Sequence, residues 1–169
     1  MWNNEKEFFF DFDHVHDTQS TFYSLASFVP LWAGLATQTQ AEKMRDSLSP
    51  FETDFGLTIT DQSSLPPQRS LQELPEAYRI ALLYDLEPKQ WDYPHIWAPL
   101  EYLCIIGLLR YGFIADAKRI MYKAIKANID VFKKYGALLE KIDATTGGTA
   151  KNFHYPNQFG FGWTNAVIY

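Results

Sequence analysis

QWDYPHIWAPLEYLCIIGLLRYG, residues Gln90 to Gly112, divides into a polar, aromatic loop and an apolar helix. Pro99 sits where a first helical turn tolerates proline, and Gly112 stands where a helix ends. Between them apolar side chains occupy most of the circumference, so this helix has to be packed on several sides at once. The next segment supplies a neighbour. From Ile114 to Tyr135, residues Ala117, Ile120, Met121, Ala124, Ile125 and Phe132 recur at helical spacing, opposite Lys118, Lys123, Lys126 and Lys133. This pattern predicts an amphipathic helix of about six turns, stopped by Gly136.

Working upstream, Thr37 and Gln40 have capping-box spacing ahead of AEKMRDSL, which predicts a helix from about Gln38 to Ser47 ended by the Ser49-Pro50 step. Pro30 marks a helix start within Phe22 to Gly34. The ring-rich run Phe8 to Asp13 is too short for a helix and reads as one extended segment. Thr58 to Pro88 is the least regular stretch, with a breaker cluster at Ser63-Ser64-Leu65-Pro66-Pro67 and a short helix expected over Ala77 to Tyr84. Downstream, Thr145 to Ala150 reads as a loop leading to FHYPNQFGFGWTN, after which another helix begins. The fold class is mainly α.

A chain of 169 residues that is 47% hydrophobic can bury one ordinary core. Its 15 basic and 20 acidic residues give a net charge of -5, a field that repels nucleic acid and anionic membranes. No apolar run is long enough to cross a bilayer and no signal peptide is visible, which favours a cytoplasmic setting without fixing the compartment. Cys104 is the single cysteine, so it forms no internal disulfide, and its apolar helix points to a core role. His14 and His16 have a spacing that places both on one face of a strand, but no third metal ligand accompanies them. No cofactor is implied.

Aromatics are in surplus, with 13 Phe, 10 Tyr and 5 Trp making 17% of the chain. Flat rings can stack on sugar faces, or they can simply fill a wide helical core. Composition leaves both open. In Gln90 to Pro99 an amide, a carboxylate and two indoles precede the buried helix, a set able to hold a polyhydroxyl ligand or to form a tryptophan-packed turn.

QWDYPHIWAP resembles a signature motif of the trehalases, Gln-Trp-Asp-x-Pro-x-small-Trp-small-Pro, with Ile96 in place of the usual small residue. Trp2 to Asp13, Phe22 to Gly34 and Gly160 to Asn165 are similar to trehalase segments in the same order. The likeness covers nearly all of residues 1–169 as the carboxyl-terminal part of a catalytic domain, interrupted by a divergent insertion at about 61–88.

The resemblance implies part of an (α/α)6 toroid and an inverting hydrolysis of α,α-trehalose, or a related α-glucoside, without cofactor or metal. Inversion uses one carboxylic acid to protonate the bridging oxygen and a second carboxylate to activate water, roughly 6.5–9.5 Å apart. In the family the acid lies in a segment that precedes the counterpart of Met1, so it is expected to be missing from residues 1–169. The family base is a Glu in a glycine-rich stretch. GGTAKNFHYPNQFGFGWTN, laid on it, puts His154 at that position and replaces the neighbouring glycines. Gln90, Trp91, Asp92, Phe161 and Trp163 fall on pocket-lining segments and are the expected substrate-binding residues. Glu140, Lys141 and Asp143 match a stretch expected to brace the base loop through salt bridges. The leading reading is therefore a trehalase homologue present as a fragment or degenerate copy; its alternative is a non-catalytic helical carbohydrate-binding or interaction module that keeps the aromatic pocket wall. With about five helices supported by the periodicity, an incomplete ring is expected to leave an apolar flank uncovered at Ile105, Leu108 or Leu109.

Overall fold

Asn3 and Asp13 each start a tight turn, because a short side-chain oxygen can accept from backbone donors two and three residues on. Asn3 Oδ1 accepts from the N–H groups of Glu5 at 3.0 Å and Lys6 at 2.8 Å, and Asp13 Oδ1 does the same for Val15 at 2.9 Å and His16 at 3.2 Å. The computed structural model, which describes residues 1–64, 89–150 and 155–168, accordingly opens with two antiparallel hairpins. Strand β1 (Trp2–Asn3) pairs with β2 (Phe8–Phe9), and β3 (Phe12–Asp13) with β4 (Thr18–Gln19). The single extended segment expected over Phe8 to Asp13 is therefore divided between two hairpins. His14 and His16 lie in the second turn rather than on one strand face, and His16 Nδ1 is 2.6 Å from Asp13 Oδ2.

A 3-10 turn, Leu25–Phe28, capped by the Ser24 hydroxyl, runs into α1 (Val29–Ala33) with proline in its first turn. Helix α2 (Gln38–Asp46) starts with the capping box: Thr37 Oγ1 accepts from Gln40 N, and Gln40 Oε1 from Thr37 N. Helices α3 (Ala98–Arg110) and α4 (Ile114–Tyr135) follow the periodicity, and Gly136 ends α4 with a left-handed φ of 72° that a side chain would strain. Strand β5 (His95–Ile96) pairs antiparallel with β6 (Ile142–Asp143), His95 opposite Asp143, and α5 spans Gly162–Ile168. The helix expected over Ala77 to Tyr84, most of the expected insertion and His154 lie outside the described residues.

Helix α3 is the central element, packed against α1, α4 and α5. Its Gly107 explains how α1 comes so close. A Cβ there would lie 2.9 Å from both Leu31 Cβ and Trp32 N, so only glycine allows the contact. Glycine inside a helix costs about 1 kcal/mol relative to alanine, and the close approach is what that cost permits. The main core gathers Phe8, Phe28, Leu31, Met44, Phe51, Leu108 and Ile120, and includes the buried Cys104. A smaller one joins Ile96, Val131, Leu139 and Ile142.

The uncovered apolar surface is on α4, not chiefly on α3 as the sequence suggests. Ile105 and Leu108 are buried, and of the expected flank only Leu109 is exposed. On α4 the inward stripe is Ala117, Ile120, Ala124, Ala127 and Val131, while Met121 at 40% and Phe132 at 55% exposure face outward with Ile125 and Ile129. Small alanines let the two helix backbones approach, and the larger side chains one position away are displaced to the outer face. Among the described residues no helix is long and apolar enough to cross a membrane.

Candidate functional site

The loop before α3 is built by its own polar groups. Asp92 Oδ2 accepts from Lys89 N at 2.8 Å, and the Asp92 carbonyl accepts from His95 N at 3.0 Å. The buried His95 donates from Nδ1 to the Lys89 carbonyl at 2.9 Å, since a carbonyl can only accept. The Tyr93-Pro94 peptide is cis, and Tyr93 N donates to Thr60 Oγ1 at 2.8 Å. Asp92 thus spends one carboxylate oxygen on shaping the turn. Outward neighbours secure it further, with Ala144 N donating to the Pro94 carbonyl and Ile59 N to the His95 carbonyl.

On this frame sits an aromatic cluster. Trp97 is buried and donates from Nε1 to the Gln90 carbonyl at 2.8 Å. Trp91 stacks on it, with ring centroids 4.4 Å apart and planes 15° from parallel, yet remains 39% exposed. Trp163, 46% exposed, meets Trp91 edge-on at 6.4 Å, and Phe161 meets Trp97 edge-on at 6.2 Å. The first turn of α5 and the loop before α3 therefore bring Gln90, Trp91, Phe161 and Trp163 together, with Asp92 in the same loop. Exposed indoles backed by a buried one can offer flat apolar faces to a sugar ring.

Beneath the cluster lies a polar group that the sequence does not make plain. Lys141, fully buried, pairs with Glu140 Oε2 at 2.7 Å and donates to Tyr155 Oη at 3.0 Å, which donates in turn to Gln90 Oε1 at 2.6 Å. The Lys141 ammonium also lies 5.3 Å from the centre of the Trp97 ring and 4.3 Å from that of Tyr155. Asp143 does not join this ion pair. Its Oδ1 accepts from the Thr145 backbone at 2.7 Å and hydroxyl at 2.5 Å, closing the turn that follows. Tyr155 escapes sequence reasoning because its partners are 14 and 65 residues away; its place next to His154 in FHYPNQFGFGWTN is the signal that could have found it.

No group of three or more His, Cys, Asp or Glu side chains among the described residues is arranged to hold a metal. A cavity of about 640 Å³ between α4 and α5, lined by Ile129, Phe132, Leu138 and Ile168, shares no residue with the aromatic cluster.

The trehalase family model matches residues 1–169. The chain belongs to the trehalase family. It is 35% identical over 179 residues to the cytosolic neutral trehalase of Beauveria bassiana and 33% identical over 179 residues to that of Saccharomyces cerevisiae, each match covering 98% of this chain and 22% of the relative. The chain thus spans about a fifth of the length of these curated relatives. Among solved structures, neutral trehalase Nth1 from Saccharomyces cerevisiae superposes with a TM-score of 0.74 at 31% identity, covering 99% of this chain and 26% of that one. A GH63 mannosylglycerate hydrolase from Thermus thermophilus gives 0.71 at 21% identity over 98% of this chain and 35% of its own, a likeness of fold alone. This trehalase-family chain is mainly α and folds as part of an (α/α)6 toroid.

Proposed function

We propose that this chain forms the sugar-binding wall of a trehalase, an inverting glycoside hydrolase that converts α,α-trehalose to two glucoses. The observation that carries the reading is the Trp91, Trp97, Trp163 and Phe161 cluster, assembled from the two family segments QWDYPHIWAP and GFGWTN. Stacking on Trp91 and Trp163 supplies apolar contact to a pyranose face, and Gln90 and Asp92 supply hydrogen bonds to its hydroxyls. Among the two groups that inversion requires, these residues hold the base position at His154. Histidine can take a proton near neutral pH, but it brings no negative charge to the oxocarbenium-like transition state. The acid has to come from a polypeptide segment that, in the family pattern, lies ahead of these residues. The naming of its relatives as cytosolic supports a cytosolic setting, and a net charge of -5 disfavours nucleic acid as a partner.

Two measurements test this. Calorimetric titration of the 169-residue polypeptide with α,α-trehalose should show saturable binding that sucrose does not match. Glucose release should stay at the no-enzyme level, both for the parent and for His154→Glu. Binding that is absent at millimolar trehalose overturns the sugar wall, and glucose release abolished by His154→Ala overturns the claim that the acid must be supplied.

A further inference from the structure

Resting on the reading that the aromatic cluster holds a sugar, we propose that Lys141 is a positioning residue. Through Tyr155 it fixes the Gln90 side chain so that the amide nitrogen is left to donate to the ligand. Donors and acceptors decide the direction. An ammonium has three N–H donors and no acceptor, so at 3.0 Å Tyr155 Oη accepts from Lys141. A phenol has one proton, and the group 2.6 Å away on its other side is a Gln90 amide atom. That distance is short for N–H···O and ordinary for O–H···O. With the amide turned over, Tyr155 Oη would face two donors and its own proton would have no acceptor there. Gln90 Oε1 therefore accepts, and its Nε2 points away from Tyr155, with no hydrogen bond to it among the described residues.

The cationic charge keeps this direction fixed. The Lys141 side chain is fully buried, held by Glu140 Oε2 at 2.7 Å and by the faces of Trp97 and Tyr155. A buried ammonium cannot reverse its role from donor to acceptor, whereas a hydroxyl or an amide in its place could. The same lysine thereby ties the loop carrying Gln90 to the segment carrying Tyr155, and its contact with Trp97 sets the floor beneath Trp91. The chemical consequence is a site that demands an acceptor oxygen opposite Gln90. A glucoside hydroxyl or bridging oxygen meets this demand; a ligand with hydrogen or fluorine at that position loses the bond.

The test reads the Gln90 side-chain amide by nitrogen-15 NMR, its signal pair identified as the one lost in Gln90→Glu. Tyr155→Phe keeps the Lys141–Glu140 pair and should shift that pair of signals, leaving the Asn157 amide in place. Lys141→Met should shift it too. Should Lys141→Met fail to fold because Glu140 is left buried and unpaired, the double variant Lys141→Met with Glu140→Gln removes both charges together and is read instead. Lys141→Arg, still a donor-only cation, should keep the parent signal. Gln90 signals unmoved in the folded Tyr155→Phe and charge-free variants overturn the proposal. In parallel, trehalose titration should weaken at least tenfold in Tyr155→Phe and in the charge-free variant, and less than about threefold in Lys141→Arg. A parent chain that binds no trehalose overturns the sugar reading of the site, while the amide signals still decide whether Lys141 sets the orientation of Gln90.

Discussion

Two separate groups of aromatic rings in this chain are used in different ways. Around Phe8, the rings of Phe10, Tyr23, Phe28 and Phe51 lie 4.9 to 6.4 Å away at mixed angles, and all four phenylalanines in the group are buried. Around Trp97 the rings are equally close, yet Trp91 and Trp163 keep about two fifths of their surface in solvent. Burial of a full ring is a stabilising use of aromatic area. A stacked ring left half open contributes less to folding and keeps a face for something else. Of the two uses that composition leaves open, the Phe8 group takes the core-filling one, and the open faces of Trp91 and Trp163 are those the proposed sugar site would use.

The sharpest way to break this comparison is Phe8→Ala. Phe8 touches rings from three other segments, so the cavity cannot collapse easily, and the expected loss is about 3–5 kcal/mol in urea unfolding. A loss below about 1 kcal/mol would mean that the Phe8 cluster is not the core it looks to be.

Glu101 sharpens it next, because it is a polar group in the interior rather than at the tryptophan cluster. Its Oε1 accepts from Leu57 N at 2.7 Å, Oε2 has no partner among the described residues, and burial pushes its carboxyl up to about 8 from an ordinary 4.5. An acid whose folded value is raised gives stability that is complete below its unfolded value and lost as pH rises through the folded one. The chain should therefore lose stability steadily between about pH 4.5 and 8. Glu101→Gln keeps an acceptor for Leu57, should flatten that dependence, and at pH 8 should gain roughly 1–3 kcal/mol. A variant whose pH profile parallels the parent's would show that Glu101 is not the titrating group.

These outcomes bear on what a sequence reader could have known. The α2 cap, the proline in the first turn of α1 and the Gly136 stop are local features, each set by residues within four positions, and they are legible in the sequence. The facing of α4 is not. Ala117, Ile120 and Ala124 share a helical repeat with Met121 and Ile125, and only the close packing of α3 selects the small side chains as the inner stripe. The site divides in the same way: Gln90, Trp91 and Asp92 stand in one continuous motif, whereas the link from Lys141 through Tyr155 to Gln90 exists only once three distant segments have met.

A smaller effect checks the local features. Thr37→Ala removes the hydroxyl that accepts from Gln40 N at 3.2 Å and should cost about 1 kcal/mol. The same loss in Thr37→Ala and Gln40→Ala together as in Thr37→Ala alone would show that the two halves of the box act as one unit; strictly additive losses would show them independent.

The smallest expected effect on stability separates the two aromatic groups most clearly. Trp91→Ala removes a ring that is 39% exposed and stacked against Trp97; the pair contact it loses is worth about 0.5 kcal/mol beyond the area it buries, so the unfolding free energy should fall by much less than in Phe8→Ala. Trehalose binding, by contrast, should weaken at least tenfold, because the face that Trp91 offers is the one a pyranose would cover. Phe8→Ala should do the reverse in a chain that still folds, costing stability while leaving the ligand affinity of the folded fraction near the parent's. If Trp91→Ala unfolds the chain as readily as Phe8→Ala, the tryptophans are core and the two regions do not differ. If it leaves both stability and binding unchanged, the exposed ring faces are surface and the ligand sits elsewhere.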